Sequence, residues 1–263
     1  MNKNIKLASW NVNSLKVRLE QVKSLLVEED LDILALQETK LIDAEFPNYI
    51  FQEMGYVVSF SGQKTYNGVA IISRKGLNDI NTEIPLFADP QRRLIAATIG
   101  NLRLINLYVP NGSSLESDKY IYKLNWLENI TQYIEEQLSI YPKLAVVGDF
   151  NIAPEDCDVH DIQEWQNDVL VSQPERLALQ RILALNLFDS FRKFTIKEKH
   201  FSWWDYRAAS FRRDRGLRID LILLSKPLLA ICTESKINRE YRKKERSSDH
   251  APVITTLDNT ALE

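Results

Sequence analysis

The chain has 263 residues, 44% hydrophobic and 26% charged. That is the balance of a globular protein with material for a full core, and it excludes a disordered or fibrous chain. The formal net charge of −3 is unevenly spread: between Arg207 and Arg246 twelve Lys/Arg stand against five Asp/Glu, making that segment +7 and the remainder −10. A basic docking face on an acidic body has this signature, and so does a solvated charged loop.

Asn2, Lys3, Asn4 and Lys6 break up any apolar leader at the start, so the sequence predicts a cytoplasmic protein. No apolar run approaches the roughly 20 residues of a membrane helix. The best candidate, Leu221 to Cys232, is interrupted by Ser225, Lys226 and Pro227. Short runs rich in Ile, Val and Leu predict buried strands at Ile5 to Trp10, Leu31 to Leu36, Tyr56 to Phe60, Val69 to Ser73, Leu94 to Ile99, Leu102 to Val109, Leu144 to Val147, Ile219 to Leu224 and Pro252 to Leu257. Helices are predicted between them. Ser14 is placed to cap one with Leu15, Leu19, Val22, Leu25 and Leu26 on one face; Asp118 opens a second with Ile121, Leu124, Leu127, Ile130, Ile134 and Leu138. A third follows Pro174, with Leu177, Leu179, Ile182 and Leu183. Gly100-Asn101 joins two strands by a tight turn, whereas other strands are separated by whole helices, so both sheets should be mixed. Strands apolar on both faces and helices apolar on one predict an α+β fold, a four-layer αββα sandwich forming a single domain over residues 1–263. Cys157 and Cys232, the only cysteines, suggest neither a disulfide framework nor a zinc ribbon.

Polar residues close almost every strong strand. Asn11 and Asn13 follow the first, Gln37 and Glu38 the second; Tyr108 and Asn111 end a third, and Asp149 and Asn151 a fourth. Asp220 interrupts an apolar run, and a carboxylate buried alone costs several kcal/mol. His250, beside Asp249, is its expected partner, and the pairing would favour imidazolium. Glu38, Asp149 and Asp249 with the amides of Asn11 and Asn151 are hard oxygen donors, suited to Mg²⁺ or Mn²⁺ rather than zinc. Such a cation beside a charged histidine is equipment for attack of water on a phosphoester.

Six segments then stand in fixed order: Ser9-Trp10-Asn11-Val12-Asn13-Ser14-Leu15, Leu36-Gln37-Glu38-Thr39-Lys40, Tyr108-Val109-Pro110-Asn111-Gly112, Gly148-Asp149-Phe150-Asn151-Ile152, Gly216-Leu217-Arg218-Ile219-Asp220 and Ser248-Asp249-His250-Ala251-Pro252. In these the chain closely resembles the exonuclease III family of apurinic/apyrimidinic endonucleases, within the endonuclease/exonuclease/phosphatase superfamily. The resemblance runs from about residue 5 to residue 257. It implies a DNA-repair nuclease that hydrolyses duplex DNA on the 5′ side of abasic sites and at damaged 3′ ends; a monomer is the default expectation. It further implies Glu38 as main Mg²⁺ ligand with Asn11 and Asp249 nearby, Asp149 as activator of water or general acid, and Asn151 as its support or a phosphate contact. Tyr108 would contact the phosphate or assist proton transfer, Asn111 would add a phosphate contact, and His250, oriented by Asp220, would bind the scissile phosphate and stabilise the transition state.

Phe201-Ser202-Trp203-Trp204 and Gly216-Leu217-Arg218-Ile219 resemble the family's pocket segments, which implies Trp203, Leu217 and Ile219 as walls for an extruded sugar. Arg212, Arg213 and Arg215, between them, would meet the DNA backbone. Two stretches depart from the family. Gly112 to Ser117 offers no arginine to wedge into a duplex, and Cys157 to Gln173 is acidic and aligns poorly. These leave the ranking of exonuclease, endonuclease and 3′-phosphatase activity open. Superfamily relatives that hydrolyse inositol phosphates or sphingomyelin, and non-catalytic nucleic-acid-binding regulators on the same fold, are the competing readings. The pocket segments argue against the first and the full set of acids against the second.

Overall fold

The computed structural model describes residues 4–258 and 261. Strands β1 (Ile5–Asn11) and β2 (Ile33–Gln37) pair in parallel, because helix α1 (Leu15–Glu28) carries the chain back between them. Helix α2 (Asn48–Glu53) then leads into the antiparallel strands β3 (Val57–Ser61) and β4 (Val69–Ser73), the latter against β2. The second sheet begins with β5 (Asn78–Asn81), β6 (Leu94–Ile99) and β7 (Leu102–Tyr108); Ile99 and Leu102 are partners across the two-residue turn at Gly100-Asn101, as the sequence predicts. The long helix α3 (Asp118–Ile140) makes the return to β8 (Leu144–Asp149), which lies parallel to β7. Then come α4 (Ile162–Trp165), α5 (Gln173–Ala184), β9 (Leu187–Asp189), β10 (Asp220–Ser225), α6 (Lys226–Ala230), β11 (Cys232–Ile237), α7 (Glu240–Lys243) and β12 (Val253–Leu257).

The strand orders are β11-β12-β1-β2-β4-β3 and β5-β6-β7-β8-β10-β9. Read in opposite directions, the two sheets have the same pairing at every step: one central parallel pair flanked by antiparallel neighbours. Their inner faces meet through Leu7, Ile33, Ala35, Val69 and Ile71 on one side and Ile95, Ala97, Leu104, Ala145, Val147 and Ile222 on the other. The outer faces are covered by α1 and α2 on the first sheet and by α3 and α5 on the second, giving the expected αββα layers. A buried amide bridge crosses the seam near the site end: Gln37 Nε2 donates to Asn106 Oδ1 at 2.7 Å and to Ser9 Oγ at 3.0 Å.

Some local expectations needed correction. Ser14 stands at the head of α1, but its side chain caps nothing, because the backbone there is left-handed (φ 94°). Helix α3 is capped by Ser117 Oγ, which accepts from Tyr120 N–H. Its core face runs through Tyr120, Lys123, Trp126, Leu127, Ile130 and Ile134, leaving Ile121 66% exposed. Leu177 of α5 is likewise 47% exposed. Strands β5, β9 and β11 escaped the sequence because they are edge strands, β5 and β11 rich in polar residues and β9 only three residues long, where ladder bonds rather than burial hold the backbone.

Candidate active site at the seam of the two sheets

The two parallel pairs point their C-terminal ends the same way, and each delivers two side chains. In the first sheet Asn11 closes β1, and Glu38 follows β2, whose last residue Gln37 is the partner of Asn11. In the second, Tyr108 and Asp149 are partners at the ends of β7 and β8. Asp220 begins β10 opposite Asp149, and His250 lies just before β12. Residues from six separate segments therefore converge because the β-ladders end together.

Ligand atoms of Glu38, Asp149 and His250 all lie within 4.8 Å of one another. Asn11 Nδ2 bridges Glu38 Oε1 at 2.8 Å and Asp149 Oδ2 at 2.9 Å, while its own oxygen accepts from Asn13 N–H. As it stands, Asn11 faces the carboxylates with nitrogen, where an oxygen ligand was expected. Asn151 also turns its nitrogen to Asp149 Oδ2, and its oxygen accepts from Asn111 Nδ2 at 3.0 Å. Asp249 is outside the set whose ligand atoms converge, and accepts from Asn13 Nδ2 at 2.9 Å and Trp203 Nε1 at 3.0 Å. Glu38 and Asp149 are thus the two carboxylates that converge, and with no thiolate nearby they fit a hard divalent cation.

The expected Asp220–His250 pair is present: His250 Nδ1 is 2.9 Å from Asp220 Oδ2, and Nε2 is 3.8 Å from Asp149 Oδ2. Ser202 Oγ donates to Asp220 at 2.6 Å, a support that sequence reading missed. Its only signal was a hydroxyl between Phe201 and Trp203. Burial opposes charge on His250, but the Asp220 and Asp149 carboxylates outweigh it and push its pKa up to about 10. Burial, with the nearby Asp220 anion, pushes Asp149 up to about 7 against the pull of His250 and Asn11. The Tyr108 phenol is pushed well above its usual value by burial and by Glu38, so it remains a proton donor. Arg93 covers its ring, 4.7 Å from the centroid.

A histidine whose folded pKa lies above its unfolded value stabilises the fold fully below the ordinary 6.5 and loses that contribution as pH rises through about 10. NMR of the ¹⁵N-labelled imidazole should accordingly show His250 still cationic at about pH 8. A neutral ring at that pH would remove it as a phosphate-stabilising charge.

Trp203 sits at the rim of this cluster, and Trp165 of α4 meets it edge-on with centroids 6.1 Å apart. Leu217 and Ile219, expected as pocket walls, are instead shut in with at most 1% exposure. Backbone bonds between Trp203 and Leu217 lay one segment on the other, so they back the tryptophan rather than face a ligand. The basic segment is also narrower than its count implied. Arg215 pairs with Glu164, and Arg218 is buried between Asp158 and Asp189. Lys236, Arg239, Lys243 and Lys244 have acidic partners too. Arg212 and Arg213 are exposed and, among the described residues, carry no ion pair. On the other flank a cleft lined by Tyr66, Gln91, Arg93, Tyr108, Asn111 and Lys119 adjoins the site. Lys40 joins both Glu38 Oε2 at 3.0 Å and Asn13, a contact the sequence gave no sign of.

Two docked mixed sheets with carboxylates, amides, a phenol and a charged imidazole gathered at one end define a phosphoesterase architecture. The Endonuclease/Exonuclease/phosphatase family pattern matches residues 8–250, and the chain belongs to that family. It is 35% identical to exodeoxyribonuclease III of Haemophilus influenzae over 95% of this chain and 98% of that one. Among solved structures it is similar to the 3′ phosphatase NExo from Neisseria bound to product DNA hairpin, at 45% identity and TM-score 0.95, covering 97% of this chain and 99% of that one. It is also similar to an AP endonuclease from Archaeoglobus fulgidus, at 37% identity and TM-score 0.94, covering 97% and 99%. Among the described residues no helix is long and apolar enough to cross a membrane.

Proposed function

We propose that the chain is a metal-dependent DNA-repair nuclease that hydrolyses phosphodiesters on the 5′ side of abasic sites and at the 3′ ends of duplex DNA. The observation that carries this reading is Asp149. Its carboxylate faces Glu38 on one side and the charged His250 on the other, which is where a base for water would stand beside a hard cation. Relatives named as exodeoxyribonuclease III and AP endonuclease support the substrate.

In this mechanism Asp149 takes a proton from the attacking water, and His250, held by Asp220, balances charge growing on the phosphoryl oxygens. Tyr108 and Asn111 donate to the same phosphate. Glu38 and Asp149 would hold Mg²⁺, which supplies charge stabilisation for the phosphoryl group and the leaving oxygen. Trp203 would pack on an extruded base-less sugar, and Arg212 and Arg213 would meet the backbone phosphates.

The test is a labelled duplex with one abasic-site analogue beside an intact blunt duplex, each with Mg²⁺ and with EDTA. Metal-dependent nicking 5′ to the lesion supports the reading, a ladder on the intact duplex adds the exonuclease, and failure to cut either duplex sinks it. Replacing Arg212 and Arg213 together by Ala should weaken duplex binding regardless of sequence and flatten the plot of log affinity against log salt by about 2, near 0.9 per lost phosphate contact. An unchanged slope would place the duplex elsewhere.

A further inference from the structure

We infer that Lys123 is a positioning residue for cleavage: with Glu175 it forms a buried anchor that holds the loops of Asn111 and Asn151 in place from beneath. The side chains of both Lys123 and Glu175 have no exposed surface. Lys123 Nζ donates to Asn151 O at 2.7 Å, to Asn111 O at 3.1 Å and to Glu175 Oε1, so all three of its protons are used. The two residues whose carbonyls it grips are joined above by their side-chain amides.

Each loop needs such a grip. Asn151 is left-handed at φ 49°, a conformation most side chains avoid, and Gly112, next to Asn111, has φ 100°. Burial works against a charged Lys123, while Glu175 favours it. A buried ion pair is often replaceable by apolar side chains at little cost in stability. An apolar side chain cannot hold two carbonyls from different loops, and that is the task the ammonium performs here.

The anchor reaches further through Glu175. Its carboxylate accepts from Leu170 N–H at 3.0 Å and from Ser172 N–H at 3.1 Å, fixing a segment whose Val169, Leu170 and Val171 pack with Leu217 and Ile219 behind Trp203. One pair thereby ties both phosphate-facing amides to the backing of the tryptophan. This inference rests on the reading of Asn111 and Asn151 as phosphate contacts.

The experiment compares Lys123→Met, the double variant Lys123→Met/Glu175→Gln and wild type on the abasic duplex with Mg²⁺, alongside thermal melting and amide hydrogen exchange without DNA. The single variant strands a buried carboxylate and should melt early, whereas the double variant should recover most of the Tm. The double variant should still lose about 30-fold to 100-fold in kcat, with KM within about threefold, because misplacement costs rate rather than encounter. Exchange in residues 110–113 and 150–153 should rise at least about tenfold while α1 is unaffected. A double variant with wild-type kcat, or unchanged exchange in both loops, would overturn the inference. If wild type itself cuts no DNA, the nuclease reading fails separately, and exchange still decides whether the anchor exists.

Discussion

Asp149→Asn should give a folded protein that binds an abasic duplex as tightly as wild type yet cleaves it at least about 10³-fold more slowly, since proton transfer and charge balance act mainly in the transition state. Three features concentrate the effect on this carboxylate. It receives Asn151 N–H at 2.9 Å and Asn11 Nδ2 at 2.9 Å, so its orientation is fixed. It stands 3.8 Å from the His250 imidazole. Its proton affinity is tuned by burial to about pH 7. The ionised form is the base, so wild-type kcat should show a limb that rises with pH, and the variant should lose that limb. Single-turnover cleavage and filter binding measured across pH 5.5 to 9 would decide it. Cleavage within about tenfold of wild type would take Asp149 out of the proton transfer.

The second large effect is structural and lies one residue earlier. Gly148→Ala should lower stability by about 4 kcal/mol or leave no soluble protein, among the larger losses a point substitution produces. At φ 143° the backbone is outside the range that residues with a Cβ adopt, and a Cβ there would fall 1.9 Å from the Leu107 carbonyl oxygen. Neither strand can retreat, because Gly148 and Leu107 are direct partners in the central parallel pair. Any accommodation would spread β7 from β8 where Tyr108 and Asp149 emerge. Gly76→Ala is the matched control, since a Cβ at Gly76 meets nothing within 4 Å. Thermal melts should separate the two by roughly 8–16 °C, taking about 2–4 °C per kcal/mol in a chain of this size. Equal melting temperatures would show that the parallel pair yields more easily than its geometry implies.

The layered architecture was legible because its central strands are rich in apolar residues and its long helices repeat hydrophobic residues at helical spacing. Both signals come from burial, and β1, β2, β4, β6, β7, β8, β10 and β12 all carry the first. Three of the four edge strands were hidden for the converse reason: Asn78–Asn81 and Cys232–Ile237, for example, are held by ladder bonds to the next strand and carry mostly polar residues, which leaves no hydrophobic mark. In the site, the Asp220–His250 pair could be reasoned out, because a lone acid in an apolar strand demands a partner and histidines are few. Ser202, Lys40 and Lys123 could not. A buried serine or lysine acquires meaning only from what folds against it, and for Lys123 the helical period even pointed the other way, taking Ile121 for the core. Leu217 and Ile219 were placed in the right segment with the wrong task, since segment position does not reveal which layer of a wall a side chain occupies.

The pairing of β1 with β12 has a consequence for how the protein folds. Strand β12, which follows His250, pairs with β1, and Trp10 Nε1 donates to His250 O at 3.0 Å across 240 residues of chain. A folding chain must therefore close this long-range pairing before the charged imidazole is seated beside the carboxylates.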